Sequence, residues 1–308
     1  MVHRVPFGRG PMPQVHHPLC PADRDAMLAF RSQLVTTSGP PTRASFDQLV
    51  ELTPPAASVE YREARIGGVP GTWCTPPSPR PGAAILYLHG GAFVLGSARA
   101  FRHFVGQLAA RAGTAAFVVD YRLAPEHPFP AACEDARDAY LALASALGTE
   151  QVAIAGDSAG GGLALGLLVA HQKAPCGLLF SPWIDLTLTA PSIDAKASED
   201  PLLSRRALEL GARQYLGGQD ARQLRASPLF DSLSHVRPLQ VHVGTAEILL
   251  DDSVRLDSLA GAEVHVWAGM PHVFPRSLAR FRAAVEALDL AGAFVRGSLG
   301  LERHQLSP

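Results

Sequence analysis

From Val59 onward, short runs rich in β-branched residues alternate with longer segments of helical spacing, and this alternation constrains the fold more than any other feature. Strands that are apolar throughout must be covered on both faces, and helices between successive strands supply that cover in a mostly parallel sheet. Eight strands are expected, at residues 59–66, 71–75, 83–89, 114–120, 152–155, 177–181, 239–243 and 263–267. Gly67, Gly68, Val69 and Pro70 separate the first two as a turn, so these two form an antiparallel start. The last is expected at the sheet edge, where an unpaired strand could join a second copy as a homodimer.

Helices follow from apolar residues recurring at three and four positions. Leu278, Phe281, Val285 and Leu288 define one face near the C-terminus, and Leu208 and Tyr215 define another. Two segments stand outside the alternation. The N-terminal segment, residues 1–57, carries an amphipathic helix with Met27, Phe30 and Leu34, and a second stretch at about 185–217 interrupts the domain formed by residues 58–308. Both are candidates for a helical cap over the sheet. At 308 residues the chain has enough surface to bury a core without staples.

Composition removes several function classes. The formal net charge is −1, with 27 basic residues scattered among 28 acidic ones, so the basic stripe that a nucleic-acid partner requires is absent. The longest nearly uninterrupted apolar stretch, residues 163–170, falls far short of the ~20 residues that span a bilayer. Proline and histidine break the first twenty residues, which lack the apolar core of a secretory signal, and a cytoplasmic location is expected. Cys20, Cys74, Cys133 and Cys176 stand far apart, suggesting neither zinc site nor disulfide framework. A dinucleotide fingerprint fails at its third glycine, where Pro13 or Leu165 stands, and neither Lys173 nor Lys196 follows a glycine as a phosphate-binding loop requires.

The chemistry resides in three separated stretches. Gly156-Asp157-Ser158-Ala159-Gly160 lies between an expected strand and an expected helix, where a tight turn would lift the Ser158 hydroxyl above the sheet. His89-Gly90-Gly91-Ala92 ends the third strand, and the amides of Gly90, Gly91 and Ala159 are the expected donors to a developing oxyanion. A serine hydroxyl needs a general base, and His272 stands in a proline-bounded loop after the last strand. The base needs an orienting acid. Glu247 lies directly after the seventh strand and is preferred over Asp251 and Asp252, which fit the first turn of the next helix; all three stay open.

These residues carry a family resemblance. His89 to Phe93 (HGGAF), Asp120 to Ala132 (DYRLAPEHPFPAA), Gly156 to Gly161 (GDSAGG), Ser181 to Thr187 (SPWIDLT), Gly244 to Asp252 (GTAEILLDD) and MPHVFP resemble the hormone-sensitive-lipase-like esterases and lactone hydrolases of the α/β-hydrolase fold. The likeness runs from about residue 59 to 295. It implies Ser158 as nucleophile, His272 as base, Gly90 and Gly91 as oxyanion donors, and the position of Glu247 as acid. Two positions depart from the family pattern: Ala92 replaces a common third glycine, and Glu247 replaces the more usual aspartate.

The implied activity is hydrolysis of small to medium acyl esters or lactones through an acyl-enzyme, without cofactor or metal. Phe93, Val94, Trp183, Ile184 and Phe274 are the expected pocket lining. Tyr121, Arg122, Glu126 and His127 are expected to support the oxyanion turn rather than transfer protons. Amidase, peptidase or thioesterase chemistry on the same scaffold, or ligand binding without catalysis, remain the alternatives.

Overall fold

The computed structural model describes residues 14–34, 41–236 and 238–300. In chain order these form β1 (Val15–His17), α1 (Pro21–Leu34), α2 (Arg43–Glu51), β2 (Glu60–Ile66), β3 (Val69–Thr75) and β4 (Ala84–Leu88). Next come α3 (Ala98–Ala112), β5 (Ala116–Val119), α4 (Ala131–Leu147), β6 (Val152–Asp157), α5 (Ser158–Ala170) and β7 (Gly177–Phe180). The chain continues through α6 (Ser192–Ala195), α7 (Arg205–Leu216), β8 (Leu239–Gly244), α8 (Leu250–Ala260), β9 (Glu263–Trp267) and α9 (Arg282–Ser298).

The strands form one sheet in the order β1-β9-β8-β7-β6-β4-β5-β3-β2. Pairing is parallel from β1 through β5, and antiparallel between β5 and β3 and between β3 and β2. This is the α/β-hydrolase arrangement, with cores on both faces. Central strands β4, β5, β6, β7 and β8 are buried at every position, which is why β4, β5, β7 and the first four residues of β6 read as unbroken apolar runs. One core gathers residues of α4, α5, α7 and α8; the other gathers α3 and the C-terminal half of α9. Among the described residues, no helix is long and apolar enough to cross a membrane.

Three expectations need correction. The sheet has nine strands rather than eight, because β1 pairs in parallel with β9. Three residues carry too little periodicity to announce a strand, so β1 is a product of tertiary pairing. The strand Glu263–Trp267 is therefore not at the edge, and the argument for a homodimer through it loses its premise. The C-terminal helix begins at Arg282, after Leu278 and Phe281, and Val285 is 37% exposed; its buried face is Ala284, Ala287, Leu288, Ala291 and Val295.

Segment 21–34 docks through polar as well as apolar contacts. Buried Asp23 accepts hydrogen bonds from the amides of Arg282 (2.7 Å) and Ala283 (3.1 Å), capping α9 from another part of the chain. Met27 and Phe30 pack into the cluster around Phe281.

The β1 edge carries a chain of histidine contacts that runs from half-buried His17 to buried His265 and His242. The His17 ring stacks on Trp267 at 3.6 Å, and its Nε2 lies 2.9 Å from His265 Nδ1. His265 Nε2 is 2.6 Å from Glu263 Oε1. A carboxylate only accepts, so His265 Nε2–H donates to Glu263, and one proton lies between His265 Nδ1 and His17 Nε2. Burial first, then the nearby His265 and His16, push the His17 pKa from 6.5 down to about 4. His242, stacked 4.6 Å from His265, is pushed well down, by burial first and then by the nearby His265 and His17. A released strand binds more protons than a docked one between pH 6.5 and 4, so docking weakens as pH falls through that window. Hydrogen exchange at residues 15–17, corrected for intrinsic rates, is expected to accelerate between pH 7.5 and 4.5 more than in β4 or β6. Equal acceleration in all strands would contradict this.

Candidate active site

Ser158 is the first residue of α5, immediately after β6, and its backbone sits at φ +53°. This left-handed conformation is strained for a residue with a side chain, and its surroundings hold it. A Cβ on Gly156 would lie 2.4 Å from the Gly160 carbonyl oxygen, and one on Gly160 would lie 2.1 Å from that of Leu88. Both flanking glycines are therefore required by close backbone approach.

The other two chemical groups arrive from loops at the same end of the sheet. His272, two residues before the short 3-10 turn Phe274–Arg276, lies beyond the C-terminal end of β9, and Glu247 lies between β8 and α8. His272 Nε2 is 2.9 Å from Ser158 Oγ, and His272 Nδ1 is 2.7 Å from Glu247 Oε2. With Glu247 ionised, Nδ1–H donates to the carboxylate, and Nε2 is left to accept the Ser158 proton. All three side chains are buried, which strengthens these contacts by excluding water.

The competing carboxylates have other partners. Asp251 accepts the Ser192 amide at 2.8 Å. Asp252 accepts those of Ile184 (2.9 Å) and Asp185 (3.2 Å), and burial pushes its pKa up to about 7. Glu247 is the carboxylate in contact with His272. The extra methylene of glutamate is accommodated by two donors to its other oxygen, Ser181 Oγ and the Gly244 amide, each at 2.8 Å.

Sequence reasoning assigned no role to Ser181 or Asp200. Ser181 stands just beyond β7 at φ +45°, donates to Glu247 and accepts the Val273 amide at 3.1 Å, tying the acid loop to the histidine loop. Asp200 Oδ2 accepts the Ile248 amide at 2.8 Å, beside the acid. A serine at the C-terminal end of a parallel strand was the available signal for the first; nothing local marks the second.

The turn after β4 corrects one expectation. The Gly90 amide donates to Asp157 Oδ1 at 2.9 Å, an oxygen that also accepts Tyr87 Oη–H at 2.9 Å. Gly90 is thus engaged in holding the turn against the serine elbow rather than free to meet an oxyanion. Burial pushes the Asp157 carboxyl up, opposed by the charge of Arg276 and by the Tyr87 hydrogen bond. The chain then passes through three residues at positive φ, Gly91 (+122°), Ala92 (+53°) and Phe93 (+63°). Ala159, second in α5, has an amide with no acceptor within its own helix.

The residues around this turn act on one another. Tyr121 Oη–H donates to the His89 carbonyl at 2.6 Å, and its ring stacks on His89 at 4.4 Å. Arg122 pairs with Asp135, and Glu126 pairs with Arg43 of α2 at 2.6 Å. Arg43 also donates to the carbonyls of Val94 (2.9 Å) and Ala124 (3.0 Å), so α2 grips the loop after β4 directly.

Of the expected lining, Phe93 and Trp183 meet at 5.8 Å, and the Trp183 amide donates to the Ser158 carbonyl at 2.9 Å. Ile184 is buried next to Trp183, and Val94 is half-buried. Phe274 is elsewhere: it packs 5.6 Å from Trp267 in the cluster with Met27, Met270 and Phe281, and so is not brought together with Phe93 and Trp183.

Residues 85–276 match a family model described as the alpha/beta hydrolase fold. An esterase of Acinetobacter venetianus is 39% identical over 262 residues, covering 81% of this chain and 86% of the relative. An acetyl-hydrolase of Streptomyces hygroscopicus is 37% identical over 235 residues, covering 73% and 79%. Among solved structures, an esterase from the bacterial hormone-sensitive lipase family superposes with a TM-score of 0.85 at 34% identity, over 92% of this chain and 99% of that one.

Proposed function

Because the chain belongs to the hormone-sensitive-lipase-like carboxylesterases of the α/β-hydrolase fold and hydrolyses carboxylic esters, we propose that it does so through an acyl-enzyme on Ser158. The observation that carries this reading is the continuous contact from Glu247 through His272 to Ser158 Oγ. Ser158 Oγ bonds to the acyl carbon while its proton passes to His272 Nε2. The negative charge that grows on the carbonyl oxygen meets the amides of Gly91, Ala92 and Ala159. Collapse breaks the bond to the alcohol oxygen, which takes the proton from His272 and departs. Water then repeats the sequence on the acyl-serine, and the carboxylic acid leaves. Glu247 orients the ring and stabilises the imidazolium through its contact with Nδ1.

Phe93 and Trp183, with the helices of the 185–217 insertion, form the boundary of the acyl site, and α2 braces the neighbouring loop through Arg43. A short acyl group suits so closely packed a wall, and the likeness to an acetyl-hydrolase points the same way. Lactones present the same carbonyl, and they form a second candidate class. The triad alone does not choose the leaving group. The protein is expected to turn over p-nitrophenyl butyrate and to leave the matching anilide essentially uncleaved. Comparable rates on both would favour an amidase, and turnover of neither would overturn the substrate class.

A further inference from the structure

Ala92 presents a problem that glycine would not. Its backbone lies at φ +53°, and the next residue, Phe93, lies at φ +63°. Two consecutive side-chain-bearing residues in the left-handed region are each strained, and such a turn persists only where its surroundings over-determine it.

The surroundings are helix α7 of the 185–217 insertion. Its Gly211 faces the turn: a Cβ built there would lie 3.0 Å from the Ala92 Cβ, 3.4 Å from the Ala92 carbonyl oxygen and 3.8 Å from Trp183. One turn further along, the Tyr215 ring lies flat on Phe93, with centroids 3.8 Å apart and planes within 9°. Tyr215 is itself fixed. Its carbonyl accepts the Phe129 amide, and its hydroxyl lies 3.2 Å from Cys133 Sγ.

We propose that α7 sets the oxyanion turn, with Gly211 and Tyr215 as positioning residues: Tyr215 clamps Phe93, and the missing side chain of Gly211 makes room for the methyl of Ala92. The proposal rests on the assignment of the Gly91 and Ala92 amides as oxyanion donors. Ala92 and Gly211 then form a matched pair, the methyl on one side compensated by its absence on the other. An insertion expected to roof the pocket thereby acts on the transition state rather than on substrate binding alone.

Oxyanion donors act on charge that exists only in the transition state, so displacing them lowers kcat and leaves KM nearly unchanged. Gly211→Ala is expected to lower kcat on p-nitrophenyl butyrate about tenfold to a hundredfold. In an Ala92→Gly background the same substitution should cost little, because the colliding methyl is gone. Tyr215→Leu should behave like Gly211→Ala, whereas Tyr215→Phe, which keeps the ring, should restore kcat. The inhibition constant of phenylboronic acid, whose serine adduct places an oxygen in the oxyanion site, should rise in parallel with the fall in kcat. A raised KM at constant kcat, or an equal cost of Gly211→Ala in both backgrounds, would overturn the proposal. So would unchanged boronate affinity in Gly211→Ala when the wild type binds tightly. Failure of the wild type itself to bind the boronate would instead discredit the donor assignment. Should Gly211→Ala fail to fold, the Tyr215→Leu and Tyr215→Phe pair carries the same test through the kcat and KM split.

Discussion

Ser158→Ala is expected to lower kcat on p-nitrophenyl butyrate by about 10⁶-fold, with the protein still folded. Ser158 Oγ makes its contact with His272, so its removal leaves little else unpartnered. The elbow conformation is held by the packing of Gly156 and Gly160 against neighbouring backbone, which the substitution does not touch. Residual hydrolysis would come from the oxyanion amides and from substrate positioning alone. Steady-state kinetics with a matched melting temperature checks this. Retention of a substantial fraction of wild-type activity would show that another group attacks the ester.

Glu247→Gln is expected to lower kcat by about 10³- to 10⁴-fold, while Asp251→Asn and Asp252→Asn leave it near wild type. The reason lies in the two oxygens of Glu247. One receives two donors, Ser181 Oγ–H and the Gly244 amide, and the other meets His272 Nδ1. Glutamine must turn its carbonyl oxygen toward the two donors, which directs its amide group at Nδ1. The imidazole then carries its proton on Nε2 and can no longer accept one from Ser158. Asp251 and Asp252 hold backbone amides of the 184–192 stretch, and neither is bonded to His272. Equal losses across the three variants would defeat the assignment of Glu247 as the acid.

Much of this architecture is local and could be read directly. The apolar runs that became β4 through β7 stand out because both faces of each strand are covered. The serine elbow is equally visible, since only glycine tolerates backbone oxygens at little more than 2 Å from a would-be Cβ. His272 and Glu247 follow from their place beyond strand ends. What escaped was decided by partners distant in sequence. The Gly90 amide looks available until Asp157, 67 residues away, is seen to take it. Ser181 and Asp200 become meaningful only when the acid loop lies against them. Phe274 reads as pocket lining by its nearness to His272, yet the 3-10 turn directs it toward Trp267. The β1 strand has three residues and no pattern, and it exists because His17 finds Trp267 and His265.

The most direct test is to treat the folded protein with a fluorophosphonate and to locate the adduct by peptide mass spectrometry. One adduct on Ser158 in the wild type, with labelling strongly slowed in His272→Ala, is the predicted result. Labelling at another residue, or a Ser158 that reacts equally well without His272, would contradict the claim that this imidazole makes the serine oxygen reactive.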